Sequence, residues 1–217
     1  MRIDKNSYGS VALVYVLSAI AAFIVLKFCN VLLVQILVLA FLLAFCIWQT
    51  LFFRVPVREA NGSEKLVSAV ADGEIVLIKR VYEPEWLKSE CIQVSIYMDF
   101  WDVHANFWPV CGEVTYYSYH PGKHFLAFKP KASEENEHTC TCIRTCDGKD
   151  VFFKQLAGGF ARRIVCYSNP GLVTEAGKQC GIIKFGSRVD MFLPLDAKIC
   201  VNVGDMTRAC ETIIAEL

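Results

Sequence analysis

The chain has no net charge: 22 lysines and arginines are matched by 22 aspartates and glutamates. Global electrostatics therefore give no reason to expect nucleic acid as a partner, because proteins that bind phosphate backbones carry a basic excess. Histidine is scarce, with four in 217 residues, so an imidazole base has few candidates. Cysteine is plentiful, with 11, yet the paired C-x2-C spacing of a zinc ribbon is missing. The one cluster is Cys140, Cys142 and Cys146 in the run CTCIRTC, with His138 two residues upstream. Its C-x-C-x3-C spacing puts Cys140 and Cys142 on one face of a strand, which is a packing pattern, and no metal site is read from it. Nor do the cysteine spacings suggest a disulfide framework, which points to a reducing compartment.

Charge is also absent from two long stretches, Tyr8 to Leu26 and Val31 to Phe53. A helix rising about 1.5 Å per residue needs about 20 residues to cross a hydrocarbon core of about 30 Å. Residues 1–54 therefore read as a transmembrane or re-entrant helical hairpin with Lys27 near its tip. Arg2 and Lys5 flank one end, and Arg54 and Arg58 the other. That bias predicts both ends, and everything that follows, on the cytoplasmic side of the cell (inner) membrane. A cleaved signal peptide fits less well, since a second apolar run follows at once.

Residues 55–64 are polar enough for a linker, and 65–217 read as one mainly β domain. Glu74–Val81, Ile92–Ile96 and Glu113–Tyr117 are rich in strand-forming residues. Asp147-Gly148, between Cys140–Arg144 and Val151–Gln155, predicts a hairpin with a type I′ turn. Pro170-Gly171 marks another turn, and short helices are expected near Glu83–Lys88 and Leu156–Arg162. The tail carries an echo: Gly171-Leu-Val-Thr-Glu-Ala-Gly-Lys against Gly204-Asp-Met-Thr-Arg-Ala-Cys-Glu. That glycine-turn-strand rhythm suits a small β-barrel or barrel-sandwich fold.

The sharpest motif is Gly186-Ser187, at the head of an apolar run. A serine hydroxyl can attack the carbonyl before it, and glycine, lacking Cβ, admits the backbone shape that attack requires. Elimination of the ester turns the serine into dehydroalanine, and hydrolysis leaves a pyruvoyl group. Gly-Ser pairs are common in turns, so the surroundings decide. The stretch Gly181-Ile-Ile-Lys-Phe-Gly-Ser-Arg-Val-Asp-Met-Phe-Leu-Pro194 resembles the self-processing segment of phosphatidylserine decarboxylases. It is most similar to their compact bacterial branch, where FGSR replaces LGST, and the resemblance covers roughly residues 55 to 217.

The resemblance implies a precursor that cuts itself into a β chain, 1–186, and an α chain, 187–217, which stay associated. It implies a covalent pyruvoyl group derived from Ser187 that binds the substrate amine as a Schiff base. The activity it implies is decarboxylation of phosphatidylserine to phosphatidylethanolamine in phospholipid biosynthesis, with the membrane as partner. Serine needs a base, and a base works better when oriented. His104, in the aromatic run Tyr97–Pro109, is the candidate, because Asp102-Val-His-Ala-Asn106 is similar to the family's DVH-x-N signature. Where longer members have a second histidine this chain has Phe107, so either His104 serves both steps or an ordered water takes one. His120, His124 and His138 read as surface residues.

Asp72, in Val70-Ala-Asp-Gly-Glu-Ile75, resembles the family's acid and would orient His104, with Asp102 second in line; a plain strand-entry turn is the other reading. Ser133–His138 resembles the family's TENER stretch, with Asn136 and Glu137 as organisers or as a solvated loop. Arg162, Arg163 and Arg188 are the basic residues suited to the substrate phosphate. Two other functions fit parts of the pattern. One is a membrane-tethered, biotinyl-like barrel-sandwich adaptor without chemistry. The other is a pyruvoyl enzyme for a related serine-headgroup lipid or for a soluble amino acid.

Overall fold

The computed structural model describes residues 1–60, 65–123, 136–158, 163–184 and 187–217. Gly186, Phe185, Arg162, His124, residues 61–64 of the expected linker and residues 133–135 lie outside them. The chain divides into two compact units, Met1–Pro56 and Val57–Leu217.

In the first unit, β1 (Arg2–Ile3) precedes helix α1 (Tyr8–Phe28); helix α2 (Leu32–Phe52) is followed by β2 (Arg54–Val55). The antiparallel pairs Arg2↔Val55 and Ile3↔Arg54 close the open end of the hairpin. Tyr15 and Thr50 hydroxyls meet at 2.7 Å, and Gln49 Nε2 donates to the Ser10 carbonyl at 3.1 Å. These few polar bonds face the seam, while Leu13, Phe23, Leu33, Leu37 and Phe41 point outward and exposed. Each helix has 21 residues, and an 18-residue stretch of each has a mean hydropathy of 2.4, long and apolar enough to cross a membrane. A buried pair in a soluble core would hide those side chains; these are displayed.

The second unit is built from strands. They are β3 (Leu66–Ser68), β4 (Gly73–Glu83), β5 (Ser89–Met98), β6 (Ala105–Phe107), β7 (Gly112–His120), β8 (His138–Arg144) and β9 (Asp150–Ala157). Then come β10 (Arg163–Cys166), β11 (Val173–Thr174), β12 (Gln179–Lys184), β13 (Ser187–Leu193), β14 (Lys198–Ile199), β15 (Met206–Thr207) and β16 (Ile213–Glu216). Eight form an antiparallel sheet, β11-β7-β8-β9-β13-β5-β4-β15, curled into a half-barrel. Two three-stranded sheets, β10-β12-β6 and β14-β16-β3, accompany it. Bulges between Ile75 and Leu77 and between Val114 and Tyr116 bend the long strands.

Strand β13 lies mid-sheet between β9 and β5, and all seven of its residues are buried. Its period-2 alternation sends Val189, Met191 and Leu193 into the main core with Val94, Ile96, Met98 and Phe153. Phe192 goes the other way, to a smaller cluster with Phe152, Cys91, Cys140 and Cys142. A strand covered on both faces must be apolar or paired throughout, which is why Arg188 and Asp190 bind each other there.

The echo in the tail is a structural repeat. Strands β11 and β15 are the two edges of the large sheet, pairing with the starts of β7 and β4. Thr174 Oγ1 donates to the carbonyls of Val110 and Gly112; Thr207 Oγ1 donates to those of Ala71 and Gly73. Gly171 N–H binds the Val114 carbonyl at 2.8 Å, as Gly204 N–H binds that of Ile75. One local device, used twice, caps both ends of the half-barrel.

Three local expectations are corrected. Residues Glu83–Lys88 form a turn instead of a helix, because the buried Glu83 carboxylate takes the N–H groups of Glu85, Trp86 and Leu87 at 2.8 to 3.2 Å. The Asp147-Gly148 hairpin exists, but Gly148 alone has a positive φ, +78°. Thr145 and Lys149 close a three-residue loop, the type I turn plus left-handed glycine that longer hairpins use. Of Leu156–Arg162, Leu156 and Ala157 complete β9, and 159–162 lie outside the described residues.

Candidate active site

Ser187 opens β13, opposite Met98 of β5 and Ala157 of β9. Its side chain is fully buried, and Oγ donates to Met98 Sδ at 3.1 Å. A thioether is a weak acceptor, so the hydroxyl is not locked into a strong bond. Around it runs a buried polar chain. Asn106 Nδ2 lies 3.8 Å from Met98 Sδ, Asn106 Oδ1 accepts from Gln155 Nε2 at 2.7 Å, and Gln155 Oε1 accepts from Thr139 Oγ1 at 3.0 Å. Asn136 Nδ2 donates to the Ala157 carbonyl at 2.7 Å, tying down the residue that faces Ser187. Amides held in an apolar core form a preorganised dipole lattice, the kind that stabilises developing charge.

His104 sits just before β6 and is fully buried. β6 pairs with β12, Ala105 facing Ile182, and the His104 carbonyl accepts the Ile183 N–H at 3.2 Å. The histidine thus lies against the strand that runs into residues 185–187. Its Nδ1 is 3.1 Å from the Asp102 carbonyl. That bond puts the proton on Nδ1 and the basic lone pair on Nε2. Ser187 Oγ has Met98 as its hydrogen-bond partner among the described residues, so the expected serine–histidine contact is not closed here.

Asp72 is engaged elsewhere. Arg58 grips it with both arms, Nη1 to Oδ1 and Nη2 to Oδ2 at 2.6 Å. The Ala209 N–H donates to Oδ1 at 2.8 Å. Burial by itself would lower the Arg58 pKa; the hydrogen bond and charge of Asp72 outweigh it and hold it raised. The repeat explains part of this geometry. At the matching place in the other half, Cys111 Sγ receives the Ala176 N–H at 3.4 Å. Asp72 therefore closes a turn that both halves possess, with a charge pair added. The turn also touches the histidine's strand, since the Phe107 N–H binds the Val70 carbonyl at 2.9 Å and Arg58 lies 5.8 Å over the Phe107 ring. Gly73 is required next door: its φ is +149°, and a Cβ would stand 2.0 Å from the Tyr97 carbonyl oxygen.

The other expected residues scatter. Asp102 reaches His104 through its backbone, while its carboxylate accepts the Asp99 N–H at 2.8 Å. Arg188 is 4 % exposed and forked onto Asp190, 2.9 Å from Nε to Oδ1 and 3.0 Å from Nη2 to Oδ2. Arg163 is exposed at the start of β10. His138, expected at the surface, is buried, because it faces inward from β8 beneath the 84–88 turn. Phe107 is buried. Sequence reasoning missed Met98, Gln155, Thr139 and the pairing of Arg58. Single polar residues in strands carry no local signal, and Arg58 read as a membrane-flanking charge.

Comparison with known proteins assigns the chain to a family. The family profile described as phosphatidylserine decarboxylase matches residues 44–215. A phosphatidylserine decarboxylase proenzyme of Amoebophilus asiaticus is 46 % identical over 171 residues, 79 % of this chain and 76 % of the relative. One from Cytophaga hutchinsonii is 38 % identical over 219 residues, 100 % of this chain and 99 % of the relative. A third, from Bacteroides fragilis, is 46 % identical over 167 residues, 76 % and 73 % of the two chains. With the profile spanning both the buried serine and the strands that enclose it, this chain belongs to the phosphatidylserine decarboxylase family.

Proposed function

We propose that this chain decarboxylates phosphatidylserine to phosphatidylethanolamine after cutting itself before Ser187. The observation that carries the reading is Ser187 itself: a fully buried hydroxyl at the first residue of the central strand, held only by a thioether among the described residues. A buried hydroxyl without a strong partner costs stability, which a chemical role explains.

His104 Nε2 takes the Ser187 proton, and Oγ attacks the Gly186 carbonyl. The peptide nitrogen leaves as the amine while the acyl group moves to oxygen. Loss of the Ser187 α-proton then expels the Gly186 carboxylate, and water hydrolyses the dehydroalanine, releasing ammonia and leaving the α chain capped by a pyruvoyl group. That group would supply a ketone for the substrate amine and an electron sink while carbon dioxide leaves. The residues fit it, because Asn106 and Gln155 are fully buried amides able to donate to a keto oxygen. His104 is the proton carrier for the carbon that loses its carboxylate. Asp72 acts at one remove, positioning the histidine's strand through Arg58 and the Val70–Phe107 bond. Pairing of β13 with β5 and β9 along its length supports continued association of the two fragments.

The apolar hairpin would keep the enzyme where its substrate lies. Arg2, Lys5, Arg54 and Arg58 favour cytoplasmic ends. Arg162 and Arg163 remain the proposed phosphate partners, Arg188 being committed to Asp190. The adaptor reading leaves the buried Ser187 hydroxyl without a purpose. The test is carbon dioxide release by the purified full chain from phosphatidylserine vesicles and from free serine. Release from vesicles alone, lost in Ser187→Ala, is expected. Equal turnover of free serine would replace the lipid with a soluble substrate, and no release from either would end the proposal.

A further inference from the structure

Strand β8 has two chemistries on its two faces. Thr139 turns toward Gln155, whereas His138 and Cys140 turn to the opposite face. There the β7–β8 register sets His120 against His138 and Ser118 against Cys140. The turn held by Glu83 lowers Glu85 onto the same spot. One ligand atom from each of Glu85, His120, His138 and Cys140 lies within 4.8 Å of all the others. Glu85 Oε1 is 2.7 Å from His120 Nε2, and Cys140 Sγ is 3.2 Å from Glu85 Oε2.

The geometry points to a tetrahedral site for a zinc-class divalent cation formed by Glu85, His120, His138 and Cys140. Two imidazoles, a thiol and a carboxylate are the donors such an ion selects. Bonds of about 2.0–2.3 Å put tetrahedral ligand atoms roughly 3.3–3.8 Å apart, so side-chain adjustments of about 1 Å close the shell. The outer shell is already built. His138 Nδ1 is 2.7 Å from the Asn136 carbonyl, which puts its lone pair on Nε2. Tyr116 and Ser118 hydroxyls donate to Glu85 Oε1 at 3.0 and 2.9 Å, orienting the carboxylate. Trp86 stacks on Tyr116 with ring centroids 4.3 Å apart, packing the ring whose hydroxyl holds Glu85.

Charge balances too. Lys154 is 3.4 Å from both the fully buried Glu83 and Glu85, and Glu83 neutralises it. A divalent ion then matches the Glu85 carboxylate and a Cys140 thiolate. Loading forms one metal–sulfur, two metal–nitrogen and one metal–oxygen bond, and the Cys140 thiol proton leaves to solvent. His120 Nε2, 2.7 Å from Glu85 Oε1 and 2.5 Å from Ser118 Oγ, exchanges these contacts for the metal, its hydrogen moving to Nδ1 by tautomerisation, while Ser118 keeps its bond to Glu85. The site would staple the 84–88 turn to β7 and β8. Through Asn136, whose side chain holds the Ala157 carbonyl opposite Ser187, it would also brace the processing strand.

The experiment strips the full chain in detergent with a chelator, then reloads it with Zn2+ or Co2+. One metal per chain by elemental analysis is expected, with a thiolate-to-cobalt charge-transfer band and the intense visible bands of tetrahedral cobalt. Cys140→Ser should lose the charge-transfer band. His120→Ala, at a side chain 42 % exposed and so tolerant of change, should drop from one equivalent to none while its circular dichroism stays that of the parent. Cys111→Ser and Cys146→Ser, at exposed cysteines, should load as the parent does. Failure of the parent to load, or equal loading by His120→Ala, overturns the site.

Discussion

Replacing Arg58 by methionine leaves the Asp72 carboxylate with the Ala209 N–H as its remaining described partner. The two side chains are 4 % and 12 % exposed, so little water can compensate. Removing one member of a buried pair costs about 3–5 kcal/mol, whereas replacing both by apolar groups is often close to neutral. The paired change here also strands the Ala209 N–H, at about 1–3 kcal/mol. Arg58→Met is therefore expected to lower the melting temperature by roughly 6–20 °C, at about 2–4 °C per kcal/mol for a unit of this size. Arg58→Met/Asp72→Leu should recover part of that loss. Thermal unfolding of the full chain in detergent reads both, and a denaturing gel reads self-cleavage in the same samples. Cleavage should return with stability, because Asp72 works by positioning. A double variant that folds yet stays uncut would show that the Asp72 carboxylate acts on His104 directly. One no more stable than the sum of the singles would refute the pairing argument.

Gly73→Ala forces a side chain into the Tyr97 carbonyl at a left-handed φ; a loss of about 2–4 kcal/mol in denaturant unfolding is expected. His104→Ala should accumulate uncut chain on a denaturing gel, while Asp102→Asn, which keeps the backbone carbonyl that holds the ring, should process as the parent does. Thiol reagents at pH 8 should modify Cys111, Cys146 and Cys200, which are exposed, and spare Cys91 and Cys210. Burial raises those two pKa values to about 11 and about 12, so only about one thiol in a thousand at Cys91 and about one in ten thousand at Cys210 is reactive thiolate; rapid native labelling of Cys210, counted by peptide mass mapping, would contradict the packing around it.

Much of the fold was legible because it rests on short-range patterns. Two uncharged runs of helical length became α1 and α2, and β-branched runs became β4, β5 and β7. The glycine rhythm at Gly171 and Gly204 became a true repeat, since a turn followed by a threonine-capped strand is local chemistry. The Glu83–Lys88 turn was misread because its cause is a buried carboxylate, and burial is a tertiary fact. The site divides the same way. Ser187 and His104 stood out by motif, while Gln155 and Met98 are placed by register alone, many residues away in sequence. Glu85, His120, His138 and Cys140 were invisible as a set: cysteine spacing argued against metal, and the ligands converge only after β7 pairs with β8.

The central claim is a broken peptide bond with a carbonyl at its new end, and intact mass of the purified full-length protein measures both. Two fragments, ending at Gly186 and beginning at position 187, should replace the 24.4 kDa chain. The second should be lighter than a serine-terminated fragment by one ammonia and should gain two hydrogens on borohydride reduction. A single unreduced species at 24.4 kDa would contradict the account.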